Sequence, residues 1–455
     1  MRPHKLFYSV SFLQFFMSEI TGTTLILFLL AKGLSLQSAN FLLVVFFVSI
    51  FLFEIPTGAI ADKYGRKISV VLGLCCFLVY SVLFVWVDHM WLLVFAQVFG
   101  GLAICLQSGS LESWVVENSD KPMEVLFTTS NSIQYISGFI CGLLGAFLAA
   151  FNYSLPWAAS IVSIILCIFL CCFYMDEKNI IHRKASTTHI KTIIGESVRI
   201  GFENKSIWIV FIIGLFISFS NSAGNTFQQP RLVGLSEQGI WIMGLIKAGY
   251  SLCMTLGSYL VRKLGARYSD VHILMYACGM IGIWLILAGA FNTFYPVLLT
   301  FLIYEIGRGM YPVAKQIFLN KRISNEYRST LLSLDSAISQ LGMCIGLIVT
   351  GIVSRNFTNL ASDQTPIQIS WMLCGGIALI PTFCCFMSIG GQGKIVLGMK
   401  KQQSRMFSAK RAKQVLAVSP YAPSLAIRLY FSPYHSFRRF WIRPVKISSA
   451  FGTPA

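Results

Sequence analysis

Gly58-Ala-Ile-Ala-Asp62-Lys63-Tyr64-Gly65-Arg66-Lys67, introduced by Glu54-Ile-Pro56-Thr57, is a short polar bridge between two long apolar runs. Phe41 to Ile60 and Ile68 to Val87 are each long enough to cross a bilayer, so the chain must turn back within a few residues. Gly58 lets two helices approach closely, and Gly65 permits the tight turn. Lys63, Arg66 and Lys67 place three positive charges on this one loop, which assigns it to the cytoplasmic side.

Outward from that bridge the pattern repeats. With 55% hydrophobic and 12% charged residues, the composition excludes an ordinary soluble domain and indicates a polytopic membrane protein. Apolar stretches of spanning length run near Leu6 to Leu30, Ala39 to Ala61, Ile68 to Val87, Trp91 to Trp114, Leu126 to Phe151 and Pro156 to Tyr174. After a polar interval come Ile207 to Phe227, Ile240 to Leu260, His272 to Phe291, Pro296 to Leu319, Leu331 to Val353 and Ile367 to Ile389. The expected fold is an all-α membrane protein of twelve transmembrane helices in two six-helix, pseudo-symmetric bundles. Residues 1–175 and 207–389 form the bundles, 176–206 a cytoplasmic linker and 390–455 a basic cytoplasmic tail. The first run is too long for a signal-peptide core and has no small-residue cleavage site.

Lys and Arg cluster in alternate loops (Lys63, Arg66, Lys67, Lys121, Arg262, Lys263, Arg267, Lys321, Arg322 and Arg328), while the other side shows little beyond Lys32, Arg231 and Arg355. Both termini are therefore expected in the cytoplasm of a multi-pass inner-membrane protein. The tail holds no Asp or Glu and twelve Lys or Arg residues, and carries most of the net charge of +18. Its interleaved aromatics, Tyr421, Tyr430, Phe431, Tyr434, Phe437, Phe440 and Trp441, suit contact with anionic lipid; the other reading is a solvated tail without a role in transport. Nucleic acid is not expected as a partner. The thirteen cysteines sit mostly in apolar runs without metal-ligand spacing, so no metal, cofactor or disulfide framework is expected. The absence of a nucleotide-binding loop or a nucleophile constellation argues against an enzyme.

The halves show internal similarity at an offset of about 200 residues. Gly138 and Gly142 follow Ser132-Ile-Gln-Tyr-Ile-Ser in the fifth span, as Gly342 and Gly346 follow Ser336-Ala-Ile-Ser-Gln-Leu in the eleventh. Gly257-Ser-Tyr-Leu-Val261-Arg262-Lys263-Leu-Gly265-Ala-Arg267 repeats the opening bridge without its acid. A duplicated six-span unit, with its axis along the membrane normal, gives this pattern.

The spacing Gly-x-x-x-Asp-x-x-Gly-Arg-Lys over residues 58–67 resembles the signature loop of the major facilitator superfamily, and the resemblance extends over roughly Leu6 to Ile389. Ser108-Gly-Ser-Leu-Glu112-Ser-Trp114-Val-Val-Glu117 and Tyr327-Arg328-Ser-Thr330-Leu-Leu-Ser333-Leu look like the drug and small-molecule exporters of that family. The resemblance implies a cytoplasmic gate in which Asp62 and Arg66 pair with Glu117 or Glu112, and Asp62 faces the free amides near Ser329 and Thr330. Gly58, Gly65 and Lys67 belong to the same gate. Two features depart from the exporters: Gln97 stands where they usually carry an Arg, and the fifth-span glycines lack a following proline.

Ionisable residues at bilayer depth mark the interior. Glu19, beside Thr21, Thr23 and Thr24, is the leading candidate for proton coupling; the alternative is a neutral carboxyl bonded to a neighbouring helix. Glu305 and Arg308 are spaced to pair on one helix face, or Arg308 meets a substrate carboxylate or exchanges partner with Glu19. Asn221, Asn225 and Gln228 form a polar stripe on the seventh span. Because the first, fourth, seventh and tenth spans line the cavity in this family, Glu19, Gln107, that stripe, Glu305 and Arg308 are expected to converge there. Lys247 and Asp335 are either an interhelical charge pair or reach the polar boundary, and Asp335 joins Glu19 and Glu305 as a proton-coupling candidate. The expected function is proton-coupled efflux of a small amphipathic solute, such as a drug or siderophore, by a monomer. Proton-linked uptake of a metabolite or ferric chelate is the runner-up, and a transporter-like receptor without transport is the reading from another class.

Overall fold

The computed structural model of the chain describes residues 1–176, 205–323, 328–357 and 364–382. They form helices α1 Pro3–Gly22, α2 Leu25–Ala31, α3 Leu36–Tyr64, α4 Arg66–Trp86, α5 Met90–Gln107, α6 Ser110–Asn118, α7 Met123–Phe151 and α8 Leu155–Tyr174. Then come α9 Lys205–Leu235, α10 Ile242–Leu264, α11 Asp270–Ala290, α12 Phe294–Asn320, α13 Arg328–Phe357 and α14, residues 364–382 less the turn at 364. With α1–α2 and α5–α6 each counted once, twelve helical segments stand where the twelve spans are expected, the last described as far as residue 382. Among the described residues, nine segments, α5–α6 counted as one, are long and apolar enough to cross a membrane, ten with α1–α2 taken together. Outward-facing apolar side chains are abundant, and Trp86, Trp91, Phe151, Trp241 and Tyr295 stand exposed at one end of the helices. That is where aromatic side chains anchor at a bilayer interface. The linker lies almost wholly outside the described residues and the tail entirely so.

Two expected spans are broken rather than continuous. Thr24, at φ −130° and ψ 16°, interrupts the first, and α2 leaves α1 at 47°. Ser108 at ψ 123° and Gly109 at φ +69° interrupt the fourth. The second break is supported from outside by the Ser69 hydroxyl, which donates to Leu106 O at 2.6 Å, and from within the span by the Ser110 hydroxyl, which donates to the same carbonyl at 3.1 Å. Gly65 has φ +101° and ψ 159°, a backbone state open essentially to glycine, and it ends α3 and begins α4 in one residue. The tight turn expected at Gly65 is therefore present.

The repeat is visible in packing. In the first half α1 packs on α7 and α8, and α5 on α3 and α4; in the second, α9 packs on α13, and α12 on α10 and α11. Trp157 stacks on Phe84 at 4.9 Å and Trp371 on Phe301 at 5.1 Å, each closing its own half. Gly145 abuts the Ile20 backbone as Gly342 abuts that of Leu215, so glycine lets the fifth span approach the first and the eleventh approach the seventh. Lys32 donates to Val85 O and Val87 O and pairs with Asp88, while Arg231, 1% exposed, donates to Phe291 O at 2.6 Å and Gln364 at 3.2 Å. These two cations staple helix ends rather than serve a solute.

The halves meet along α3 against α13 and α7 against α10. The face bearing the Gly65 turn, with Lys321 paired to Asp270 at 2.8 Å, is the basic face. At the opposite, far face the Asn40 amide donates to Leu347 O at 3.3 Å and Thr350 Oγ1 at 3.1 Å. Gln229 joins the same seam by hydrogen bonds to the first span.

Candidate functional site

At mid-depth the two halves are joined by an ion pair. Glu19 Oε2 on α1 lies 3.1 Å from Lys247 Nζ on α10, with side chains 25% and 33% exposed. A third helix makes room for it. A Cβ on Gly142 of α7 would stand 2.9 Å from Lys247 Cγ and 3.5 Å from Thr23 Oγ1, and one on Gly138 would stand 3.9 Å from Glu19 Cδ. The fifth-span glycines thus form a notch that admits the lysine stem.

On α12 Arg308 donates to Glu305 Oε1 at 2.8 Å, so the expected intrahelical pair is formed and Arg308 does not reach Glu19. Glu305 is 1% exposed, and its second oxygen has no hydrogen-bond partner among the described residues. Lys247 lies within electrostatic reach of that carboxylate. The Tyr304 ring sits 5.7 Å from the Arg308 guanidinium, and its hydroxyl donates to Asn221 Oδ1 at 3.0 Å. Glu19, Lys247, Glu305 and Arg308 therefore form a row of alternating charge from the first span through the eighth to the tenth. A solute carrying either sign must compete with an existing partner there.

Asn225 and Gln228 continue toward the far face and line a cavity of about 230 Å³ with Gln229, Leu25, Ile26, Phe47 and Leu347. Gln107 accepts from Gln14 Nε2 at 2.7 Å and donates to Ala103 O at 3.1 Å, which places it on the basic side. Gln14, Tyr304, Asn40 and Gln229 were not singled out by sequence. Gln229 carried a usable signal, since it falls one helical turn after Asn225.

Lys247 and Asp335 are not partners. Lys247 takes Glu19, and Asp335 pairs with Lys315 at 2.7 Å, closer to the basic face; a Cβ on Gly214 would lie 2.7 Å from Lys315 Nζ. Lys315 is within reach of Asp335 from the neighbouring helix, whereas Lys247 points across to the other half. Of the gate residues implied by the resemblance, Arg66 stands 4.0 Å from Glu117, one of its two suggested partners. Glu112 sits in the first turn of α6, where a carboxylate suits the positive end of the helix dipole. Lys67 donates to Cys172 O at 2.8 Å and ties α4 to α8. The surroundings of Gly58 and the side chains of Asp62, Ser329 and Thr330 lie outside the described residues.

The sequence matches the family described as Major Facilitator Superfamily over residues 7–347. The chain belongs to that superfamily. Among its relatives, the uncharacterized MFS-type transporter YxaM of Bacillus subtilis (strain 168) is 25% identical over 366 residues, covering 77% of this chain and 89% of that protein. An uncharacterized transporter, BU466 of Buchnera aphidicola subsp. Acyrthosiphon pisum (strain APS), is 22% identical over 353 residues, covering 74% and 88%. In fold, the chain is similar to the nucleoside transporter NupG (TM-score 0.74, 14% identity, 85% of this chain and 99% of that one). It is also similar to a D-xylose-proton symporter (TM-score 0.67, 16% identity, 84% and 96%). The protein is thus a multi-pass membrane transporter of the MFS type, a superfamily whose members are in general not enzymes.

Proposed function

We propose that this transporter moves a small amphipathic organic solute outward across the inner membrane in exchange for protons, with Glu19 as the proton carrier. The observation that carries the reading is the Glu19–Lys247 ion pair, partly exposed and shared between the two halves. Protonation removes the carboxylate charge and with it the attraction to Lys247. The freed ammonium then turns to Glu305, whose second oxygen is unpartnered, or to the solute. One proton thereby alters a contact between halves, as a coupling site requires.

With the basic face in the cytoplasm by its Lys and Arg content, the far-face seam of Asn40 and Gln229 corresponds to an inward-facing state. Asp62, Arg66, Lys67 and Glu117, with Gly58 and Gly65, would latch the basic face in the opposite state. Glu305 and Asp335 are secondary proton sites, and the basic tail meets anionic lipid. The preference for export rests on the resemblance of residues 108–117 and 327–334 to exporters. Proton-linked uptake is the second reading, favoured by likeness in fold to a D-xylose-proton symporter.

The test is transport in inside-out and right-side-out vesicles, screening dyes, drugs and ferric chelates under an imposed pH gradient, for native protein and Glu19→Gln. Accumulation in inside-out vesicles that needs an acidic lumen and disappears in Glu19→Gln is the expected result. Accumulation confined to right-side-out vesicles would turn the reading to uptake. Transport indifferent to pH would remove the coupling.

A further inference from the structure

The break in the first span is bridged by a residue from the other half. The Gln229 amide donates from Nε2 to Gly22 O at 3.0 Å and accepts at Oε1 from Ile26 N at 2.9 Å. Gly22 and Ile26 are four residues apart. Their carbonyl and amide are the pair that an unbroken α-helix would join directly. A side chain from α9 is therefore inserted into one rung of the first span's own ladder, at the place where Thr24 leaves helical geometry and α2 turns away by 47°. Gln229 is buried, and the break stands in the wall of the cavity between the halves.

This arrangement solves a problem that any opening of the far face must meet. When the halves part there, Gln229 moves away with α9, and a carbonyl and an amide at membrane depth lose their partners. At an ordinary inserted side chain both would be stranded. Here Ile26 N–H and Gly22 O can close on each other, and the first span becomes one continuous helix. The space beside Gly22 is open, since even a Cβ there would meet no atom within 4 Å, whereas Phe28 of α2 must slide against Trp157, 5.2 Å away, as the span straightens. Glu19 lies one turn before the break on the same helix, so straightening also shifts the partner of Lys247.

We propose that Gln229 is a positioning residue for alternating access: it holds the first span bent while the far face is closed, and its withdrawal lets the span straighten as that face opens. The inference rests on alternating access and not on Glu19 as proton carrier, so either can fail without the other.

Two substitutions pull in opposite directions. Gln229→Met keeps the volume and removes both hydrogen bonds, which favours the straight span. Leu25→Pro puts proline at the first position of α2, a place proline favours once Thr24 shifts from ψ 16° toward extended backbone, and it bars the continuous helix. Hydrogen exchange by mass spectrometry on the full chain in lipid nanodiscs reads both consequences without a substrate. In Gln229→Met the seam segments 38–45 and 345–353 should exchange roughly tenfold faster as the far face opens, the scale of two lost neutral hydrogen bonds. Segment 23–28 should stay protected, because its amide is now bonded within the helix. In Leu25→Pro the seam should exchange no faster than in the native chain. Rapid exchange of 23–28 in Gln229→Met with an unchanged seam would make Gln229 a mere cap and overturn the proposal. A faster seam in Leu25→Pro would overturn it equally, and that variant remains decisive if Gln229→Met does not fold.

Discussion

Adding one methyl group at either of two glycines a helical turn apart should separate coupling from folding. In Gly142→Ala the new carbon would sit 2.9 Å from Lys247 Cγ, against the roughly 3.5–4.0 Å of a normal carbon contact. The lysine stem must move by about 0.6–1 Å. Its ammonium, three bonds further out and 3.1 Å from Glu19, then swings beyond direct contact. Both charges are about a quarter to a third exposed, so the lost attraction is well short of a fully buried pair: about 1–2 kcal/mol, or roughly five- to thirtyfold. In Gly138→Ala the new carbon stands 3.9 Å from Glu19 Cδ, an ordinary contact. Proton-driven accumulation in vesicles should therefore fall by about tenfold in Gly142→Ala and by less than twofold in Gly138→Ala. Thermal unfolding in detergent should show both variants folded. Equal loss in the two, or none in Gly142→Ala, would refute the claim that the notch sets the ion pair.

Three further outcomes follow from the same contacts. Gly65→Ala forces a side chain into φ +101° and should cost about 1–3 kcal/mol, seen as a lower unfolding temperature. Glu305→Gln leaves Arg308 without its ionic partner in a buried site, and a loss of about 3–5 kcal/mol is expected in denaturant unfolding. Asp88, outside the spans, is held below the usual carboxylate range by its hydrogen bond to Lys32 and by that residue's charge. Its contribution to stability is therefore complete above the ordinary carboxylate value and is lost as pH falls through the lowered one. Asp88→Asn should flatten that acid limb of an unfolding-temperature profile by lowering the neutral-pH value toward the acid one, and leave the low-pH value nearly as it is.

The sequence was informative wherever a single segment decides its own state. The spans from Leu36 to Tyr64 and Arg66 to Trp86, and the glycine turn between them, follow from apolar length and one residue without a Cβ. The i, i+3 pair of Glu305 and Arg308 was legible for the same reason. What could not be read were choices made between helices. Lys247 had two conceivable acids, and only the rotation of α10 toward the Gly142 notch selects Glu19 over Asp335. The break at Thr24 was invisible because threonine is not a strong breaker, and the amide that stabilises it comes from 203 positions away. Gln107 was expected beside Glu19 in the cavity, and its hydrogen-bond partner proves to be Gln14 on another span.

The central claim is that protonation of Glu19 couples the two halves through Lys247. The most direct measurement is steady-state accumulation of the solute found in the vesicle screen, plotted against the imposed pH gradient, in native protein, Glu19→Gln, Lys247→Met and the double variant. The account expects accumulation to track the gradient in native protein and to be independent of it in Glu19→Gln. Lys247→Met should reduce the dependence, and the double variant should be no worse than Glu19→Gln alone, as for two members of one interacting pair. Gradient-driven accumulation that survives in Glu19→Gln, or losses that simply add in the double variant, would contradict it.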